Sequence, residues 1–221
     1  MTRRGGCDLS VYLVVGPDDV VGRAMIDLVL EAVAGGVTAV QLRQKNAGDR
    51  AFVEQARAVV SALEPSGVPL IVNDRVDVAI VAGAHGVHVG QDDMPAADAR
   101  RLMGNDAVVG LSITNVTEAR ALDPSVVDYA GVGPVFETPT KPDAASPLGI
   151  EGTRDVSRVL LERNVPTVAI GGISLTNAGE VLSAGVHGLA VVSAICAAAD
   201  PRIAAASLLD VVRGARRVAP Q

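Results

Sequence analysis

The feature that most constrains the fold of this chain is an alternation, repeated eight times, between a short apolar run and a longer amphipathic stretch. The apolar runs are rich in Val, Ile and Leu and predict strands, and the Ala-rich stretches between them predict helices. Gly, Pro, Asn or Asp usually marks each change, as in repeated βα units. Strands are predicted at 11–15, 39–42, 70–72, 86–89, 108–111, 129–132, 167–170 and 188–192, and helices at 21–34, 49–63, 76–82, 95–103, 116–122, 153–163, 176–184 and 201–213.

Eight such units follow one another without a linker or a change of composition, which favours an α/β fold with a single (β/α)8 TIM barrel over residues 1–221. The ordered barrel is expected over about residues 9–213, with short tails at both ends. An open, doubly wound sheet is the alternative. Hydrophobic residues make up 49% of the chain and aromatic residues only 2%. A core of Val, Ala, Leu and Ile suits a buried parallel sheet.

Charge and cysteine content exclude several classes of function. The formal net charge of -6 argues against nucleic acid or an anionic membrane as a partner, because both usually select a basic surface. Cys7 and Cys196 have no paired spacing, so neither a disulfide framework nor a zinc site is predicted. The apolar run at 11–15 is too short to span a membrane. The sequence predicts a soluble, cytoplasmic protein and is compatible with a homo-oligomer.

Polar residues follow seven consecutive predicted strands, at the ends where TIM barrels carry their chemistry. A single one of these segments would be read as a turn or a helix cap. Seven in succession indicate a functional site at this end of the barrel. The segments are QLRQK, IVNDR, HVGQDD, GLSIT, GPVFETPTK, AIGGI and VVSAI.

The second predicted strand continues into three polar residues at every second position, Gln41, Arg43 and Lys45. This spacing places their side chains on one face of an extended chain. Arg43 offers a planar fork to phosphate oxygens and Lys45 a compact charge, so the two together predict a diphosphate site. Ion pairs with acidic loops are the alternative explanation.

Two carboxylates, Asp74 and Asp93, follow the neighbouring third and fourth strands. Two unit charges about 4 Å apart repel by about 4 kcal/mol at an effective dielectric near 20, so they need a shared proton or a cation. Beside phosphate ligands this pair predicts Mg²⁺. An acid/base pair is the alternative, although Arg43 and Lys45 would favour ionised carboxylates. Asp92 is an alternative second ligand.

A second anion site is predicted from the last three strands. The segment after the sixth strand contains FETPTK, with two hydroxyls, a proline and a lysine, and the prolines and glycines of this long segment suit a lid over an anion. The segments IGGI and VVSAI end the last two strands, where barrels frequently bind phosphate through backbone N–H groups. The histidines His85, His88 and His187 are interpreted as structural, because no Ser/His/Asp or Cys/His set can be placed at one rim.

Taken together, these segments resemble, in order and spacing, the signatures of the thiamine-phosphate synthase family, from about residue 11 to residue 195. The TPTK loop and the ND and GQDD pair are the specific part of this resemblance. It implies a TIM barrel that joins 4-amino-5-hydroxymethyl-2-methylpyrimidine diphosphate to 4-methyl-5-(2-phosphoethyl)thiazole, forming thiamine phosphate and diphosphate with Mg²⁺.

The resemblance also implies residue roles. Pyrimidine diphosphate would contact Gln41, Arg43, Lys45, Asn73, Ser112 and Lys141, of which Arg43, Lys45, Ser112 and Lys141 would be catalytic. The metal would be held by Asp74 and Asp93, and the thiazole phosphate by Thr138, Thr140, Gly172, Val192 and Ser193. The second-strand motif often has an acid where this chain has Gln44, and Glu137 is also variable, but neither is a proposed ligand.

Two other functions compete with this interpretation. A thiazole tautomerase of the same superfamily would handle thiazole phosphate without breaking a diphosphate. Such an isomerase has little use for a set of cations and carboxylates that combines Arg43, Asp74, Asp93 and Lys141. A non-catalytic phosphate sensor would be expected to lack the metal carboxylates, and both are present.

Overall fold

The computed structural model describes residues 7–20, 22–138 and 145–218. Eight parallel strands pair in sequence order and close into a barrel, since β1 pairs with both β2 and β8. The strands are β1 Val11–Val15, β2 Ala39–Leu42, β3 Leu70–Asn73, β4 Gly86–Val89, β5 Val108–Ile113, β6 Tyr129–Val132, β7 Thr167–Ile170 and β8 Gly188–Val191. The predicted (β/α)8 barrel is confirmed, and the doubly wound sheet is excluded.

Helices follow the strands and cover the outside of the barrel. They are α1 Met25–Ala34, α2 Asp49–Leu63, α3 Val76–Ala82, α4 Ala96–Met103, α5 Val116–Ala121, α6 Gly149–Glu162, α7 Ala178–Leu182, α8 Ser193–Cys196 and α9 Pro201–Val218. The sequence did not predict α8, a single turn directly after β8. Among the described residues, none of these helices has both the length and the apolar character needed to cross a bilayer.

Successive side chains along each strand point to opposite faces of the sheet, and this alternation separates two apolar cores. In β1, Val11, Leu13 and Val15 pack outward with the helices, whereas Tyr12 and Val14 point into the barrel. This two-residue period follows from the pleat of a strand, and both faces are buried because helices cover the outside. The inward-facing positions at the carboxyl ends of the strands therefore form the floor of any site there.

Several helix boundaries differ from the sequence prediction. The fifth helix keeps its predicted start at residue 116, where Asn115 is the N-cap: its side chain accepts a hydrogen bond from the Glu118 N–H at 2.9 Å. The seventh helix, predicted at 176–184, is shorter than predicted, because α7 begins at Ala178 after its N-cap Asn177 and ends at Leu182. The start predicted for α1 at residue 21 is wrong, since the helix begins at Met25.

Two histidines join neighbouring strands at the amino-terminal end of the barrel. His85, before β4, accepts a hydrogen bond at Nδ1 from the Leu70 N–H at 3.1 Å, and His187, before β8, accepts one from the Thr167 N–H at 3.1 Å. Each histidine also donates its own backbone N–H to the carbonyl of the same partner, at 2.9 Å. A ring nitrogen that accepts a hydrogen bond carries no proton of its own, so both contacts require the Nδ1 atom to be unprotonated.

We expect stability to fall in mild acid partly through His187. Burial and the nearby charge of Arg216 lower the pKa of this imidazole. On acidification the unfolded chain therefore takes up a proton at His187 before the folded chain does. The contribution of His187 to the free energy of unfolding is complete above about pH 6.5 and is lost as the pH falls from there through the folded-state pKa. In His187→Asn the unfolding free energy should fall by about 1 kcal/mol at pH 7.5 and change less between pH 7.5 and 5.

Urea unfolding of both proteins across this pH range measures the difference. Parallel stability curves for the wild type and His187→Asn would contradict the assignment.

Candidate active site

A cavity extends from the barrel interior to the carboxyl ends of the strands. All eight strands contribute to its lining through residues on the strand or just after it. The lining residues are Tyr12, Val14, Asp19, Gln41, Arg43, Asn73, His88, Ser112, Thr114, Gly131, Gly133, Pro134, Thr138, Ala145, Val168, Ile170, Gly171, Gly172, Ile173, Ala190, Val192 and Ser193.

The three polar residues predicted to share a face after β2 reach different depths. Gln41 is 5% exposed and lines the cavity, and the half-buried Arg43 lines it as well. The Arg43 N–H donates to the Val15 carbonyl at 2.9 Å, which continues the pairing with β1 one residue past β2. Lys45 lies beyond this pairing, is exposed and does not line the cavity. Its approach to a ligand stays a prediction.

Asp74 and Asp93 lie just beyond the ends of the adjacent strands β3 and β4. The Asp74 N–H donates to the His88 carbonyl at 2.8 Å, and the Asp74 backbone has a φ of 62°, an uncommon value outside glycine. Asp93 Oδ2 accepts a hydrogen bond from the Gly90 N–H at 2.7 Å, and both Asp92 and Asp93 are exposed. Neither Asp74 nor Asp93 lines the cavity itself.

The donor chemistry of this pair fits a hard divalent cation. Across residues 7–20, 22–138 and 145–218, no three His, Cys, Asp or Glu side chains are grouped so that they could hold a metal. Mg²⁺ does not need such a group, because it commonly uses one or two carboxylates and completes its octahedron with water and substrate phosphate oxygens. Asp74 and Asp93 therefore fit a metal that depends on the bound substrate for its other ligands.

The segment after β6 packs against the end of β7. The Val135 N–H donates to the Ile170 carbonyl at 2.9 Å, and the Phe136 N–H donates to the Gly171 carbonyl at 3.1 Å. A Cβ on Gly172 would lie 2.8 Å from the Glu137 carbonyl oxygen, and its φ of 63° also favours glycine. The double glycine of IGGI thus lets this segment sit directly on β7.

The residues predicted to bind the second anion lie on this side of the cavity. Thr138, Gly172, Val192 and Ser193 all line it, and α8 starts directly after Val192. The predicted ligands Thr140 and Lys141 lie outside the described residues. On the far side of the cavity, Asn73 and Ser112 line the wall between β3 and β5.

Sequence reasoning did not assign Tyr12, Asp19 or His88 to the site, although all three line the cavity. Tyr12 and His88 line the cavity, and both contact Tyr129 below it. Burial of 92% agrees with a core histidine at position 88, but the ring also borders the site. A signal was available, because Tyr12 and Tyr129 are the only two tyrosines of the chain.

Asp19 brings a carboxylate into the same cavity, after β1. Its Oδ2 accepts a hydrogen bond from the Gly16 N–H at 2.8 Å. Burial raises the pKa of Asp19, while the Gly16 N–H and the positive charge of Arg43 act in the opposite direction. The cavity therefore holds a cation and a partly buried anion on neighbouring strands.

The cavity walls combine apolar and polar surfaces in a way that suits a flat ring bearing an anion. Val14, Val168, Ile170 and Ala190 supply apolar contacts inside the barrel. Arg43, together with amide and hydroxyl side chains, lies toward the rim. Such a site can bury a heterocycle while its charged group stays at the opening.

Comparison with known proteins agrees with this arrangement. Residues 11–195 match the family model described as thiamine monophosphate synthase. The curated thiamine-phosphate synthase of Solidesulfovibrio magneticus is 52% identical over 209 residues, which cover 95% of this chain and 98% of the relative. The thiamine-phosphate synthase of Albidiferax ferrireducens is 49% identical over 204 residues, 92% of each chain.

Solved structures give the same result. Thiamine phosphate pyrophosphorylase from Pyrococcus furiosus aligns with a TM-score of 0.84 and 35% identity, covering 95% of this chain and 98% of that structure. A structure described as native KDPGal aligns with a TM-score of 0.69 but only 16% identity, so it supports the barrel fold alone.

Proposed function

This chain belongs to the thiamine monophosphate synthase family, and we propose that its cavity joins 4-amino-5-hydroxymethyl-2-methylpyrimidine diphosphate to 4-methyl-5-(2-phosphoethyl)thiazole. The observation that carries this proposal is one cavity with Arg43 on one side, the Gly172 and Ser193 phosphate candidates on another, and apolar walls between them. Two substrates that each carry phosphate need two such anion sites around a shared space. A cytoplasmic location is part of the proposal.

In this proposal the pyrimidine diphosphate occupies the β2 to β5 side of the cavity. Gln41, Asn73 and Ser112 contact it from inside the barrel, and Arg43 binds phosphate oxygens at the rim. Lys45 and Lys141 add positive charge. The support for this assignment is that four of these six residues line the cavity and Arg43 supplies the charge that a diphosphate needs.

The thiazole phosphate then occupies the β6 to β8 side. Thr138 and Thr140 donate hydroxyl hydrogen bonds, and Gly172, Val192 and Ser193 bind mainly through their backbone. Separation of the two anion sites is favourable, because it keeps the phosphate groups of the two substrates apart.

The metal of this proposal is Mg²⁺, with Asp74 and Asp93 as its protein ligands. When bound, Mg²⁺ would supply positive charge that neutralises part of the diphosphate. The support is the chemistry of two hard carboxylate donors beyond the ends of adjacent strands.

The reaction requires one bond to break and one to form. The bond between the pyrimidine methylene carbon and the diphosphate oxygen breaks with both electrons going to oxygen, and the thiazole nitrogen bonds to that carbon with its lone pair. No proton has to move, so the reaction requires no general base. Arg43, Lys45 and Lys141 stabilise the charge growing on diphosphate, and the phosphate site holds the thiazole nitrogen in line with the carbon.

The electron-rich aminopyrimidine can spread positive charge as diphosphate leaves, so the intermediate needs protection from water. Val14, Val168, Ile170 and Ala190 supply the apolar surface that excludes it. Asp19 also lines the cavity, and its carboxylate can favour positive charge on the rings.

The proposed function is tested by measuring diphosphate and thiamine phosphate with purified protein, both substrates and Mg²⁺, and then omitting each component in turn. We expect both products only in the complete mixture, and a chelator should abolish them. Tight binding of thiazole phosphate without turnover would contradict the proposal.

We expect Asp93→Asn to raise the Mg²⁺ concentration needed for half-maximal activity and to lower kcat by about 100-fold. The asparagine oxygen can still accept the hydrogen bond from the Gly90 N–H, so the turn is retained while the charge is lost. Titration of activity with Mg²⁺ measures both effects.

Asp92→Asn is the matched control, because it removes the neighbouring exposed charge. Its Mg²⁺ dependence should stay within about threefold of the wild type. An effect on Asp92→Asn alone would reverse the assignment of the two aspartates.

A further inference from the structure

A chain of hydrogen bonds crosses the barrel interior and joins five side chains from five strands. Gln41 Nε2 donates to Tyr12 Oη at 3.0 Å, and Tyr12 Oη lies 2.7 Å from Tyr129 Oη. Tyr129 Oη lies 2.9 Å from His88 Nδ1, and His88 Nε2 lies 2.9 Å from Ser112 Oγ. The two ends, Gln41 and Ser112, both line the cavity on different strands.

Two glycines provide the space for this chain. A Cβ on Gly110 would lie 2.3 Å from Tyr129 Cζ and 2.4 Å from His88 Nδ1, and a Cβ on Gly131 would lie 3.0 Å from His88 Cε1. Any side chain at Gly110 would thus occupy the position of the contact between the two rings. The interior of β5 and β6 is shaped around His88 and Tyr129.

The number of protons sets the direction of the chain. Each tyrosine hydroxyl has one proton to donate, and burial raises the pKa values of Tyr12 and Tyr129, which keeps both protonated. With Gln41 as the donor to Tyr12, every proton of the chain has an acceptor within it when Tyr12 donates to Tyr129 and Tyr129 donates to His88 Nδ1, and we assign this direction. His88 Nε2 then carries the ring proton and donates it to Ser112 Oγ.

This direction fixes what the two ends offer to a ligand. Gln41 uses its amide nitrogen inside the chain and lines the cavity, so we assign its Oε1 as the acceptor that it offers to a ligand. Ser112 accepts from His88 inside the chain, so its own hydroxyl proton is available as a donor. One end of the chain is an acceptor and the other a donor, and the two cannot change independently.

We propose that Tyr12, Tyr129 and His88 are positioning residues that make Gln41 and Ser112 an acceptor and donor pair selective for a 4-aminopyrimidine over its 4-oxo analogue. This inference rests on the proposed function. An aminopyrimidine presents an N–H donor at C4 and a ring-nitrogen lone pair across the ring, which match the two ends. The 4-oxo compound has a hydrogen-bond acceptor in place of the amine, so two acceptors, its oxygen and Gln41 Oε1, would face each other.

The first test compares kcat/KM for the 4-amino and 4-oxo pyrimidine diphosphates in the wild type and in Tyr129→Phe. This variant keeps the ring but removes the hydroxyl that links Tyr12 to His88. We expect kcat/KM for the amino substrate to fall by about 10- to 100-fold, and the preference for it over the 4-oxo analogue to fall at least about tenfold.

Thr153→Val is the matched control, because it removes a buried hydroxyl that donates to the Gly149 carbonyl at 2.7 Å in α6. It should lower stability without changing the preference. An unchanged preference in Tyr129→Phe, with turnover intact, would overturn the inference.

The second test does not depend on turnover. ¹⁵N NMR of the histidine-labelled wild-type protein, with His88 assigned by its loss in His88→Gln, reports which ring nitrogen is protonated. We expect Nε2–H, and Nδ1–H would overturn the inference. Absence of turnover with either pyrimidine by the wild type would instead contradict the proposed function alone, so the two failures are distinguishable.

Discussion

Replacing Arg43 by Met is expected to lower kcat/KM for the pyrimidine diphosphate by about 10³-fold, mainly through kcat. Arg43 is half-buried and lines the cavity, so its charge is less screened by water than that of an exposed residue. Charge on the bridging oxygen grows as diphosphate leaves, and this is when a fixed cation contributes most. Steady-state and single-turnover measurements of diphosphate release separate the effect on chemistry from that on binding.

Arg43→Lys is the matched variant, since it keeps the charge but loses the planar fork. An intermediate loss of about 10- to 100-fold would indicate that both charge and geometry matter. The expected effect on thiazole phosphate binding is small in both variants, because its proposed ligands lie on the other side of the cavity. A Met variant within threefold of the wild type would remove Arg43 from the proposed diphosphate site.

Replacing Arg100 by Met is expected to lower the unfolding free energy by about 3–5 kcal/mol, because it leaves a buried carboxylate without its partner. The Arg100 side chain is 7% exposed and is paired with Asp128, whose side chain is 13% exposed. Arg100 also donates to the carbonyls of Gly104 at 2.9 Å and Ala107 at 2.6 Å. One guanidinium thus joins the turn after α4 to the residue before β6. Urea denaturation followed by circular dichroism measures the loss.

The adjacent arginine provides the control. Arg101 pairs with Asp98 on the surface, where the side chains are 72% and 50% exposed, so Arg101→Met should cost about 1 kcal/mol or less. In Arg100→Met/Asp128→Asn the buried charge is removed while an oxygen remains for the Val109 N–H, so part of the stability should return. Equal losses in the two Met variants would contradict the buried-pair argument.

The barrel could be predicted from the sequence because each strand is buried on both faces and therefore reads as a short apolar run. The ends of helices were predicted less accurately where contacts with distant parts of the chain determine them. Gly149 and Gly152 argue against a helix by propensity, yet α6 begins at Gly149. Its first turn is anchored by the Leu148 and Gly149 N–H groups, which donate to the carbonyls of Pro134 and Val135. No local pattern contains that information.

The rim of the candidate site was more accessible to sequence reasoning than its floor. Arg43 and Ser112 follow apolar runs, where polar residues are conspicuous, and the barrel brings them to one cavity. Tyr12 and Tyr129 lie within the apolar runs themselves and look like core residues. Only the register around the barrel reveals that their hydroxyl groups meet, although they are 117 residues apart in sequence.

The histidines before β4 and β8 have a mechanical consequence. They occur in the same pattern, Ala-Gly-x-His-Gly, at residues 82–86 and 184–188, and each ties its strand to the preceding one through the same two hydrogen bonds. The two ties lie four strands apart, on opposite sides of the closed barrel. These hydrogen bonds hold two pairs of neighbouring strands together at the amino-terminal end of the barrel. We therefore expect any movement that admits the two substrates to occur in the loops at the opposite end.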